Sequence, residues 1–165
     1  MRKLYIYTLV VVAVTTIVIT ALVFAFPDTS GELRTDLAVG DFYELTGDQH
    51  VTTYTITEID GDDYTVHVVQ QGKGSRDYTE VMSKDKFLSQ IYLRSRDNVP
   101  NSADSRMIIN TSFGKVLCTL YNDSAMNSYW ADGNDVIYRA FVGGVYWTLT
   151  ETSLFGPPLD TDDKA

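Results

Sequence analysis

The architecture predicted for this 165-residue chain is mainly β: an N-terminal membrane helix, then an antiparallel meander of about eight or nine strands with one short helix. Three observations predict it. Leu4–Phe26 is an apolar run without charge, Gly or Pro. From residue 39 onward, short stretches rich in Val, Ile, Thr and Tyr alternate with Gly, Asn and Asp turn signals. Only the segment after Ser83 repeats its apolar residues at helical spacing.

The N-terminal run contains 23 residues. At roughly 1.5 Å of rise per residue it is long enough to cross the ~30 Å hydrocarbon core of a bilayer. A cleaved secretory signal has an apolar core of about 7–15 residues, and the small-residue pattern Val23-Phe24-Ala25 is followed by bulky Phe26 and Pro27. Residues 1–27 are therefore expected to be an uncleaved signal-anchor. Arg2 and Lys3 precede the span, whereas Asp28, Glu32, Arg34 and Asp36 follow it, which puts the N-terminus in the cytoplasm and the domain outside the cell membrane. No cysteine flanks the span, which excludes a bacterial-type lipid anchor there.

All 22 acidic residues lie beyond the span, and removing Arg2 and Lys3 from the 13 basic ones leaves 11, so the exported part carries a formal −11. That charge opposes nucleic acid and anionic lipid headgroups as partners. Cys118 is the sole cysteine, so no intrachain disulfide exists and core packing must stabilise the domain. Its strand context predicts a small buried side chain.

Residues 28–38 read as a juxtamembrane spacer, 39–156 as the β domain and 157–165 as a disordered tail. Phe42, Tyr43 and Leu45 open the first strand. Val51–Ile59 and Tyr64–Val69 flank Asp60-Gly61 as a hairpin. A three-residue loop with Gly61 left-handed pairs Ile56 with Tyr64 and Tyr54 with Val66. This register sets Tyr54, Ile56, Tyr64, Val66 and Val68 on the core face, with His67 pointing away. Tyr78–Met82 is a further strand, and Ser83 caps a short helix carrying Phe87, Leu88 and Ile91. Arg94–Arg106 has no period and is expected to be an exposed loop. Met107–Thr111 and Val116–Tyr121 form a second hairpin, and Ser128–Ala131, Val136–Val142 and Val145–Leu154 complete the meander. Closure takes one of two forms, a curved open sheet around the helix or an up-and-down barrel. The mid-chain helix and loop favour the open form, because they can cover its concave side.

Several stretches carry a resemblance: Val39-Gly40-Asp41-Phe42-Tyr43, Ile59-Asp60-Gly61-Asp62, Met82-Ser83-Lys84-Asp85-Lys86-Phe87-Leu88, Thr111-Ser112-Phe113-Gly114 and Val136-Ile137-Tyr138-Arg139. In this order the chain resembles small membrane-anchored β-domain proteins of methanogenic archaea across most of residues 39–154. The resemblance implies an exported, cell-surface location and brings no catalytic residue with it.

No catalytic, metal-binding or cofactor-binding residue is expected. Ser83 and Lys86 match Ser-x-x-Lys, but the companion Ser-x-Asn and Lys-Thr-Gly elements of penicillin-binding enzymes are missing, and an N-cap accounts for Ser83. His50 and His67, the only histidines, lack zinc-site spacing, and Asp60, Asp62 and Asp63 lack the calcium-loop pattern. Asn122 and Asn110 begin two glycosylation sequons, Asn122 being the better placed because it lies in a loop. Tyr121, Tyr129, Trp130, Tyr138, Tyr146 and Trp147 crowd the C-terminal strands. They serve either as cross-strand packing or as the lining of a site for a small apolar ligand. The expected function is a non-enzymatic binding module, anchored in the lipid bilayer and meeting an apolar ligand or a surface protein. A structural envelope protein is the alternative.

Overall fold

The computed structural model describes residues 32–97, 100–123 and 125–156. In chain order the elements are β1 (Phe42–Gly47), β2 (His50–Asp60), β3 (Asp63–Gly72), β4 (Arg76–Ser83), α1 (Lys84–Leu88), β5 (Asn101–Thr111), β6 (Gly114–Asn122), β7 (Ser128–Ala131), β8 (Ile137–Val142) and β9 (Val145–Thr152). Among the described residues no helix is long and apolar enough to cross a membrane. The Leu4–Phe26 span and the 157–165 tail lie outside the described residues.

The strands form one sheet in the order β4-β3-β2-β1-β9-β8-β7-β6-β5. It is open: β4 and β5, which a closed barrel would pair, are its two edges. Every neighbouring pair is antiparallel, so β1 and β9 run oppositely. Followed outward to the edges, this alternation makes β4 and β5 point the same way. Strands of like direction cannot be joined by a hairpin. The segment that follows β4, described over residues 84–97, therefore begins a crossover that carries the chain back along the sheet and over its face.

Ser83 caps α1 through its hydroxyl, which accepts the Lys86 N–H at 3.3 Å. The helix buries Phe87 and Leu88, and Ile91 and Leu93 behind it are also buried. Tyr43 of β1 meets this segment directly. Its ring lies 4.8 Å from that of Tyr54 and 4.9 Å from that of Phe87, and its hydroxyl donates to the Phe87 carbonyl at 3.0 Å. Ile56, Val66, Val68 and Met82 fill the same core.

The sheet is also bent onto itself. On a flat sheet β6 and β9, three strands apart, would be separated by roughly 14 Å. Yet Ser112, in the turn before β6, donates its hydroxyl to the Thr150 carbonyl of β9, and Phe113 lies 5.0 Å from Phe155. The curvature opens a gap. β8 and β9 pair only through Arg139–Val142 and Val145–Thr148. Below that point the crossover takes the freed edge of β8, with the Ile137 N–H donating to Ile91 O at 2.8 Å and the Leu93 N–H to Asp135 O at 2.9 Å.

Three local expectations need correction. The β2–β3 loop has two residues, because Asp60 pairs with Asp63, and a bulge between Ile56 and Glu58 sets Ile56 opposite Val66 and Tyr54 opposite Val68. Gly61 is left-handed as expected, at φ 59°. The two-residue slip preserves the faces, so Ile56, Val66 and Val68 are still buried and His67 still points outward to Asp77. Residues 101–106, expected in a loop, belong to β5. Pairing with β6 overrides their weak strand propensity, at the cost of an irregularity between Ser102 and Arg106. Structure also begins before Val39. Leu33 is buried and bridges Phe155, and the buried Arg34 donates to the carboxylate of the fully buried Asp41, which also accepts the Ala38 N–H at 2.7 Å.

Candidate functional site

The crossover does not lie flush on the sheet. Between them is a cleft of about 110 Å³, walled on the sheet side by Tyr54, Tyr129, Trp147 and Leu149, and on the crossover side by Gln90 and Arg96. Its sheet wall follows from strand register. Tyr129, Ala140 and Trp147 are cross-strand partners in one row, so they share a face. Trp147 is held by the His50 ring, edge-on at 4.6 Å.

Arg96 sits at the mouth. Its Cζ lies 4.2 Å from the centroid of the Tyr129 ring, and its guanidinium donates to the Ser89 carbonyl and the Tyr129 hydroxyl, both at 2.7 Å. Tyr129 in turn donates to Asp123 at 3.0 Å. Asp123 is fixed from several sides, accepting from the Asn127 side chain at 2.9 Å and from the backbone N–H groups of Ala125 and Asn127. These bonds, that from the Asn127 side chain foremost, hold its pKa below the usual carboxylate value. Burial raises the Tyr129 phenol, against the opposing pull of the Arg96 charge. Burial likewise raises Tyr54, helped by Tyr78 and Glu80. Both phenols are hydrogen-bonding groups in their neutral form.

Gln90 and Arg96 also border a second, more open trough of about 470 Å³ with a polar wall that includes Ser83, Asp85, Asp97 and Asp123. An apolar slot thus continues into a polar channel. Among the described residues no three or more His, Cys, Asp or Glu side chains converge. Cys118 is buried, and burial pushes its thiol up to about 12, with the charge of Asp132 adding to the effect.

The six aromatics singled out by sequence are divided among three settings. Tyr129 and Trp147 wall the cleft. Tyr138 borders it while its ring packs near Phe113 and Phe155, each 6.2 Å away. Tyr121, paired with Tyr129, packs in the small core around Tyr129 and Leu93. Trp130 and Tyr146 lie 6.2 Å apart beside Arg139. Asn110 and Asn122 are exposed, near the end of β5 and at the end of β6; Asn122, expected in a loop, is instead the last strand residue, paired with Ser128, and its amide oxygen accepts from the Ser128 hydroxyl at 2.8 Å. Sequence reasoning took the Arg94–Arg106 loop as part of the recognition surface without singling out Arg96, and it missed Gln90, because nothing periodic marks the crossover. Tyr54 was placed on the core face but not at a site. Compared with protein-family models, with curated proteins and with solved structures, the chain matches none, so the cleft is read from its own geometry.

Proposed function

We propose that this chain is a membrane-anchored extracytoplasmic binding module, without catalytic activity of its own, that holds a small apolar group in the cleft beneath the crossover. The observation that carries the reading is the cleft itself: aromatic walls, polar groups in the lining from Tyr54, Gln90, Arg96 and Arg139, and a volume of about 110 Å³. Size decides between occupants. An engineered cavity of about 150 Å³ takes a benzene ring, so this slot suits one ring or one side chain and is too small for a lipid tail.

The anchor is the Leu4–Phe26 run, with the N-terminus in the cytoplasm. Supporting this placement, Leu33, seven residues after Phe26, is already bridged to Phe155, which keeps both ends of the domain at one pole. The competing reading, an envelope protein with no ligand, predicts that the cleft takes nothing.

Fluorobenzene titrated into the full-length chain in detergent, followed by its ¹⁹F resonance, tests the difference. A saturable shift is expected, and it should disappear in Ala140→Leu, which fills the slot from the sheet side. A response no greater than that of empty micelles would sink the reading.

A further inference from the structure

We infer that Arg139, Trp130 and Tyr146 form a second binding site, beside the cleft that Arg139 also borders, for a saccharide bearing a carboxylate. Trp130, Arg139 and Thr148 occupy one cross-strand row, and the adjoining row is the Tyr129, Ala140 and Trp147 row of the cleft wall. Side chains alternate between faces along a strand, so the two rows point to opposite faces, while Arg139 also borders the cleft.

The Arg139 guanidinium lies over aromatic rings, its Cζ 4.7 Å from the centroid of Tyr146 and 5.8 Å from that of Trp130. Phe141 extends the platform, its ring 4.7 Å from that of Tyr146. Among the described residues no carboxylate lies within ion-pair distance of Arg139, and its Nε is buried without a hydrogen-bond partner. Arg34 and Arg94, by contrast, both pair with aspartates. The setting is unusual for an acidic chain, because β7 and β8 contain no acidic residue and the nearest one on β9, Glu151, lies beyond the segment that pairs with β8.

An orphaned N–H on a partly buried cation needs an acceptor, and a guanidinium fork donates best to a planar carboxylate. Beside it, the half-buried Trp130 and Phe141 and the exposed Tyr146 present flat apolar surface. A pyranose ring has an apolar face of C–H groups that lies flat against such rings, and a uronic acid supplies the carboxylate at its margin. The acidic charge elsewhere on the chain does not veto an anion, since exposed charges beyond about 8–10 Å are screened at physiological salt.

The test uses the full-length chain in detergent with Trp147→Phe, which leaves Trp130 as the only tryptophan. Glucuronate should change Trp130 fluorescence saturably, with neutral glucose at least tenfold weaker and acetate without a saturable effect. Arg139→Gln should weaken glucuronate at least tenfold, and Arg139→Lys, which keeps charge but loses the fork, should fall between. Equal responses to glucuronate and glucose, a saturable response to acetate, or unchanged affinity in a folded Arg139→Gln chain would each overturn the proposal. If Arg139→Gln does not fold, an Arg139→Lys affinity equal to that of the parent overturns it as well. Fluorobenzene binding reads the cleft between Tyr129 and Trp147, neither of which belongs to the Trp130 and Tyr146 platform, so the two sites can fail separately.

Discussion

Arg96 both stacks on Tyr129, 4.2 Å from the ring centroid, and donates to its hydroxyl at 2.7 Å, which clamps the crossover to the sheet with one side chain. Removing the hydroxyl in Tyr129→Phe leaves the ring in place but loses both the bond from Arg96 and the bond to Asp123, and should cost about 1–3 kcal/mol. Arg96→Ala loses the stacking as well and should cost about 1–2 kcal/mol. Because both act through one contact, the double variant should cost less than the two single effects together, read as urea midpoints.

Asp123 anchors that clamp from below, and its depressed pKa sets a sign for pH dependence. A carboxylate with a folded pKa below its unfolded value of about 3.9 binds fewer protons in the native state. Its contribution is therefore fully present above that unfolded value and disappears as pH falls through the folded one. Stability should decline on the acid side of about pH 4, and Asp123→Asn should flatten that decline. Urea denaturation from about pH 7 down to about pH 2 checks it. An unchanged acid limb in the variant would assign the decline to other groups.

Gly72 ends β3 with φ at 106°, and a Cβ there would lie 2.3 Å from the Gln49 carbonyl oxygen. Gly72→Ala combines a disfavoured backbone conformation with a clash against backbone, and should cost roughly 2 kcal/mol or more. Gly61, at φ 59° with open space around it, is the contrasting case. Asn tolerates the left-handed region, so Gly61→Asn should change stability by less than about 1 kcal/mol. Thermal melts of the two variants, made in parallel, separate clash from conformation.

The buried pair Arg34 and Asp41 supplies the largest predicted single effect. Arg34→Ala strands a carboxylate that is 0% exposed, although Ala38 N–H and the Ser153 hydroxyl still reach it. A loss of about 3–5 kcal/mol is expected. Replacing both partners by apolar residues, Arg34→Met with Asp41→Leu, should restore part of it, since the cost comes from the unpaired charge rather than from the pair's absence.

How much of this was legible beforehand depends on how local the signal is. The Ser83 cap, the burial of Phe87, Leu88 and Ile91, and the Gly61 turn are set within a few residues, and each was readable. The hairpin register slipped by two yet kept its faces, because side-chain direction has period two while the bulge at Thr57 has no marker. The pairing of β1 with β9 joins residues 100 or more positions apart, so no local pattern announces it. Asn101–Arg106 has the composition of a loop, and becomes strand only because β6 offers a long edge. Half of the site was visible in the same sense. Tyr129 and Trp147 stood out as aromatics, whereas Arg96 gains its role only from the path of the crossover.

The stitching of Leu33 and Arg34 into the domain has a mechanical consequence. A tug on the N-terminal segment enters the fold at the pole where Leu33 meets Phe155 and is handed to β1, the strand flanked by β2 and β9 near the middle of the sheet. The load then runs along β1, so its hydrogen bonds to both neighbours are sheared together instead of being peeled open one by one from an edge. A pull from the N-terminal side meets a strong seam, and the weaker edges, β4 and β5, are left out of the line of force.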